Sequence, residues 1–162
     1  MDHFARDQQY QLHNPCIGEV LTLGDITVTI KVTGKETDGA FALFESTVPP
    51  HFAGPPAHLH RHTTKSFYLV SGVLAFTLAE ETIMVRQGGL VMVPPGLLHK
   101  FWNPTATPAT YLTYLSPAGF EQYFLELAAL KTPGASWPAI DPKLITALAQ
   151  KYEIYPLDEL LL

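Results

Sequence analysis

The chain is poor in several things that would point elsewhere. A single cysteine, Cys16, stands among 162 residues, which excludes an internal disulfide framework and makes a reducing, cytoplasmic setting the expectation. Charged residues are scarce, at 15%. Ten Lys and Arg against fifteen Asp and Glu give a formal charge of −5. With no clustered basic stretch, nucleic acid and anionic membrane are excluded as expected partners. No apolar run approaches the ~18 residues a membrane-spanning helix needs, and the opening MDHFARDQQY lacks the basic and apolar regions of a secretory signal.

Apolar residues, by contrast, make up 47% of the chain. Its length matches about one domain at ~150 residues each, so the expectation is one domain over residues 1–162. A chain of this size buries roughly 70% of its unfolded surface, so a metal would serve chemistry rather than hold the fold together. Fourteen prolines and eleven glycines are spaced as punctuation, as at Pro49-Pro50, Gly72, Gly88-Gly89 and Pro94-Pro95-Gly96, and mark turns between strands.

From about residue 17 to 117 the pattern is a succession of short β-branched and aromatic runs, the clearest being the period-two segment Ile26–Val32. Strands are also expected over Ala40–Val48, Lys65–Ser71, Val73–Leu78, Thr82–Arg86, Leu90–Val93, Leu97–Trp102 and Ala109–Leu115. Many short strands in succession indicate a sandwich or barrel. From 118 to about 155 the period becomes helical. Phe120, Phe124, Leu127 and Leu130 define one helix, with Lys131 in its last turn. Asp141 as N-cap and Pro142 at the first position open a second, with Leu144, Leu148 and Tyr152 on one face. Both helices are expected outside the β unit.

The sharpest compositional anomaly is histidine. Four of the seven lie between His51 and His62, and His58 and His60, two apart on a strand, present their imidazoles to one face. His99 follows the Pro94-Pro95-Gly96 turn as a third nitrogen donor, and His62 would add a fourth if the strand ran on. His3 and His13 lie in a leader without pattern. Standing alone, a His-x-His is more often two hydrogen-bonded histidines than half a metal site.

The spacing around these histidines resembles the two cupin motifs in order. His58-Leu-His60, four residues, Lys65, six residues and Gly72 match the first motif, apart from its leading glycine: Phe52 holds that place and Gly54 comes two later. Gly88, Pro94, Gly96, His99 and Asn103 match the second motif at every position. Gly54-Pro-Pro-Ala-His-Leu-His, Phe67–Gly72, Ser116–Phe124 and a final helix ending Ala149–Ile154 extend the resemblance to the single-domain, quercetin 2,3-dioxygenase-like cupins over nearly the whole chain. The resemblance implies an all-β jelly-roll barrel of six to eight strands with C-terminal helices. It also implies one divalent transition metal (Fe, Ni, Mn, Co, Cu or Zn) on His58, His60 and His99, a small aromatic or enolisable substrate entering at the barrel mouth, dioxygenase activity and a homodimer. A metal-free ligand-binding barrel, or an isomerase or lyase, is the alternative.

The departure is Lys65, which stands where that family carries a glutamate serving as fourth ligand and proton acceptor. An ammonium ~4 Å from a divalent ion would be repelled by roughly twice the ~4 kcal/mol felt by two unit charges at an effective dielectric of ~20. Four arrangements resolve this. Lys65 snorkels out and leaves a three-histidine site, the favoured expectation. Or it stays inside as a neutral amine acting as base or ligand. Or the barrel is metal-free, with Lys65 holding an acidic ligand. Or His62 completes four nitrogens. Lys65 is thus the candidate catalytic residue, and Phe67 and Phe101, the latter on the face of His99, are the candidate substrate walls. Leu69, Phe76, Tyr111 and Leu115 are expected as barrel core, Met84 and Met92 as core filler, and Gly96 and Asn103 as structural. Cys16 has no nucleophile role.

Overall fold

The computed structural model describes residues 18–130 and 142–156. Cys16, His3, His13, Lys131 and Asp141 lie outside the described residues, so the expectations placed on them are not addressed by it. Eleven strands are described: β1 (Glu19–Leu23), β2 (Ile26–Val32), β3 (Ala42–Val48), β4 (His58–His60), β5 (Thr64–Ser71), β6 (Val73–Leu78), β7 (Glu81–Arg86), β8 (Leu90–Val93), β9 (His99–Trp102), β10 (Ala109–Ser116) and β11 (Ile154–Pro156). Two helices, α1 (Glu121–Ala129) and α2 (Pro142–Lys151), lie between β10 and β11. The strands form two antiparallel sheets, ordered β1-β2-β3-β10-β5-β8 and β11-β4-β9-β6-β7, in the expected jelly-roll arrangement but with more than the six to eight strands expected, β1 and β11 each adding an edge strand to one sheet. Among the described residues no helix is long and apolar enough to cross a membrane.

Alternation decides which side chains reach the interior. On β10, Ala109, Tyr111, Thr113 and Leu115 are buried; on β5, Lys65, Phe67 and Leu69 are. Cross-strand register places Leu115 opposite Lys65 and Thr113 opposite Phe67. The same rule overturns the expectation for the methionines: Met92 lies between buried Val91 and Val93, and Met84 beside buried Val85, so both point outward, 60% and 53% exposed.

The C-terminal elements differ most from expectation. The helices do not merely pack outside the sheets. Phe120, Leu127 and Leu148 enter a core cluster with Leu21, Leu23, Val28, Ile30, Phe44 and Leu115, and parts of both helices line an internal cavity. Leu144 is exposed. The inward face of α2 is instead Ile145, Leu148, Ala149 and Tyr152, an i, i+3, i+4, i+7 stripe. Ile154, expected at the end of a helix, begins β11 and pairs with His60. Glu121 fixes α1 in place: its buried carboxylate accepts from Gly34 N–H at 2.8 Å and Gly119 N–H at 2.6 Å, at the helix end where negative charge is favoured.

Gly54, two positions beyond the place where the first motif carries its glycine, has its own backbone requirement. Its φ is +76°, and a Cβ there would lie 1.7 Å from the Phe101 carbonyl oxygen. Gly54→Ala is therefore expected to destabilise the protein by about 2 kcal/mol or more, from left-handed strain plus backbone displacement. Urea unfolding checks this; a loss within about 0.5 kcal/mol would show that the loop relaxes freely.

Candidate metal centre

β4 carries His58 and His60, and β9, which pairs with β4 through His58 and His99, carries the third histidine. All three are buried, and one potential ligand atom from each lies within 4.8 Å of the others. The ring centroids are 4.5 Å apart for His58 and His99, 5.2 Å for His58 and His60, and 6.0 Å for His60 and His99. His58 Nδ1 lies 2.8 Å from the Pro56 carbonyl and His99 Nδ1 2.9 Å from the Leu97 carbonyl. A carbonyl only accepts, so both Nδ1 atoms carry the proton and each Nε2 is left with its lone pair.

Burial foremost, then the Lys65 amine, keeps these imidazoles neutral. The His58 pKa is lowered to about 3, with further contributions from Lys65 and His99, and that of His99 to about 4, again by burial and then Lys65. His60 is driven lower still, by burial, Lys65, His58 and His99. Neutral imidazole is the form that ligates metal.

The residues fit such an ion on a second count. His99 Nε2 and both ring nitrogens of His60 are buried without a hydrogen-bond partner, and each such atom carries a penalty of about 1–3 kcal/mol. A cation at the convergence point would satisfy lone pairs there.

Lys65 does not snorkel out. It is buried at 6% exposure, its Nζ sits 4.1 Å from the centre of the Phe120 ring, and burial lowers its pKa to about 7. The arrangement is thus the inward amine, with about half of the population neutral near pH 7, which lessens the repulsion that an ammonium would impose. His62 does not join: its side chain is 72% exposed and lies 3.6 Å from Glu153, because the chain turns out of β4 after His60.

A cavity of about 620 Å³ opens beside the histidines, lined by His58, Lys65, Phe67 and Phe101 together with Phe52, Tyr111, Thr113 and aromatic residues of the helical segment. The volume falls in the range of small-molecule sites. Phe67 and Phe101, named from sequence as walls, are both there, with ring centroids 5.4 Å apart. Tyr111, expected as plain core, also lines the cavity; burial holds its phenol above the usual pKa, partly offset by a hydrogen bond with Ser46. Phe120, Tyr123, Phe124 and Thr113 were not foreseen as lining. Thr113 could have been, since it lies two residues from Tyr111 on the same strand face. Asn103 is structural as expected: its amide donates to Pro49 O and Thr107 O at 2.9 and 2.7 Å, and its oxygen accepts from Thr105 N and Oγ1.

The two antiparallel sheets form a jelly roll of the cupin fold, with two histidines on one strand and a third on its neighbour beside a cavity. Residues 44–114 match the family model described as Cupin domain. Among solved structures, the chain resembles KdgF from a Halomonas species at 13% identity, with a TM-score of 0.61 over 70% of this chain and 99% of that one. It resembles an RmlC-like cupin from Shewanella frigidimarina at 18% identity, with a TM-score of 0.57 over 72% and 99%. The polyketide cyclase RemF from Streptomyces resistomycificus follows at 17%, with a TM-score of 0.57 over 67% and 80%. At these identities the likeness establishes the fold. No curated protein sequence matches the chain.

Proposed function

We propose that the protein is a metal-dependent cupin oxygenase acting on a small aromatic or enolisable substrate. His58, His60 and His99 hold one divalent transition metal, whose identity imidazole ligands alone do not select. When bound, the ion supplies Lewis acidity and, if redox-active, access to dioxygen chemistry. Lys65 accepts the proton of the substrate hydroxyl, the role that the resemblance assigns to a glutamate at this position; an amine titrating near neutrality suits a general base. Phe67 and Phe101 hold the substrate's planar body and keep water from it. The observation that carries this reading is the convergence of three buried, neutral histidines beside the cavity, two of which, His60 and His99, hold unpartnered nitrogens.

Elemental analysis of untagged protein purified without chelator is expected to find about one transition-metal ion per chain, and close to none in His99→Ala. Oxygen uptake with a flavonol or 1,3-dicarbonyl substrate is expected to fall about a hundredfold or more in Lys65→Met, from the lower end of general-base contributions upward. A wild type that stays metal-free after metal is offered back would contradict the reading. The buried amine where an anionic ligand would otherwise sit favours one second reading, non-redox isomerase or lyase chemistry in the same cavity; metal without oxygen uptake would support it.

A further inference from the structure

The polar groups of the cavity are unbalanced in charge. Among the described residues none lining it is acidic, and Lys65 forms no ion pair: its nearest described partner is the face of Phe120. The three histidines contribute no negative charge either. A buried amine in such a place has its strongest complement missing.

A second donor stands beside it. Lys65 on β5 lies opposite Leu115 on β10, so Thr113, two residues back on the same inward face, is its diagonal neighbour. Such pairs lie roughly 7–8 Å apart, a gap that a bridging group can span. Thr113 is 1% exposed and its Oγ1 has no hydrogen-bond partner, although it lines the cavity. Elsewhere the walls are mostly apolar, Phe44, Val48, Phe67, Phe101 and Phe124 among them; the remaining hydroxyls are those of Ser46, Tyr111, Tyr123 and Thr146, the first two hydrogen-bonded to each other.

We infer that the ligand of this cavity is a carboxylate on an apolar body, with the carboxylate bridging Lys65 Nζ and Thr113 Oγ1 and the body packed against the phenylalanines. A monoanion matches one cation and one hydroxyl donor. A neutral ligand leaves the amine unpaired, and a dianion brings more charge than the one lining amine balances. The inference goes beyond the proposed function and shares only the cavity with it: a carboxylate pairs with the protonated amine, so this ligand occupies the cavity in place of a substrate whose hydroxyl proton Lys65 takes, and neither donor is a metal ligand.

The test is isothermal titration at pH 7 with benzoate, 3-phenylpropanoate and octanoate, each beside its primary amide, on protein as purified and after removal of metal by chelator. At least one acid is expected to bind ten or more times tighter than its amide in both preparations. Lys65→Met is expected to abolish that preference in the chelated protein, Lys65→Arg to retain part of it, and Thr113→Val to weaken the acid about three- to tenfold. No binding by any acid, equal binding of acid and amide, or an undiminished preference in Lys65→Met would overturn the inference. A preference found only before chelation would assign the carboxylate to the metal instead and overturn it too. Metal content is read separately, so failure here leaves the metal reading standing, and a metal-free protein leaves this test intact.

Discussion

Lys65→Glu is expected to raise affinity for divalent transition metal at least tenfold. Position 65 faces the interior on the strand face shared with Phe67 and Leu69, and its amine acts electrostatically on all three histidines. The substitution replaces a group that is neutral or cationic with an anionic oxygen donor beside three nitrogen donors. One unit charge at ~4 Å and an effective dielectric of ~20 is worth about 4 kcal/mol, and carboxylate desolvation takes back part of that. Competition titration against a chromogenic chelator reads the affinity. The melting temperature of the variant should rise with added metal more than that of the wild type. An unchanged affinity would show that position 65 does not reach the point where the histidines converge.

Lys65→Met is expected to stabilise the protein at neutral pH, by an amount that shrinks as pH rises. The folded-state pKa of Lys65 is about 7, lowered by burial from 10.5. Between these values the unfolded chain holds a proton that the folded chain has released, so wild-type stability rises with pH across this window. Below about pH 7 the penalty is fully present, on the order of 5 kcal/mol for a shift of this size. Methionine has similar length and no charge to bury, so the variant lacks this slope. It should be the more stable protein by several kcal/mol at pH 7, with the difference narrowing toward pH 10. Urea unfolding of metal-free protein at intervals from pH 6 to 10 reads the difference directly; parallel profiles would show that the amine escapes burial in solution.

On the acid side both proteins should behave alike. Burial foremost lowers His58 and His99 to about 3 and 4 in the folded chain against 6.5 unfolded, so their contribution to stability is full above about 6.5 and is lost as pH falls through the folded values. The loss should be slightly shallower in Lys65→Met, because the amine is itself one cause of the lowered histidine values. Acid unfolding monitored by tryptophan fluorescence checks this; stability that does not change from pH 7 to 4 would contradict neutral burial of the histidines.

Much of this was legible in the chain. Ile26–Val32 alternates as a strand and is one, and His58, His60 and His99 meet as the His-x-His spacing and the post-turn histidine imply. The inward direction of Lys65 was legible as well, because Lys65, Phe67 and Leu69 are i, i+2, i+4, and a strand that buries the two apolar residues buries the lysine with them. Treating a charged side chain as free to leave the barrel set its polarity above that period. The outward methionines follow from the same rule. What local pattern does not carry is β11: three residues after a helix, paired with β4 almost a hundred positions earlier in sequence. Its position depends on the unpaired edge that β4 offers, which is a property of the assembled sheet. The lining role of Phe120, Tyr123 and Phe124 is hidden for the same reason, since a helical stripe shows that a face is buried and not what it covers.

The central claim is that His58, His60 and His99 hold one metal ion at the edge of the cavity that Lys65 lines. Anomalous diffraction from crystals of the untagged protein, collected on either side of the absorption edge of the metal identified by elemental analysis, tests it most directly. The account predicts one peak per chain, about 2.0–2.2 Å from a nitrogen of each of the three imidazoles. No peak among these histidines, or a peak held by other residues, would contradict it.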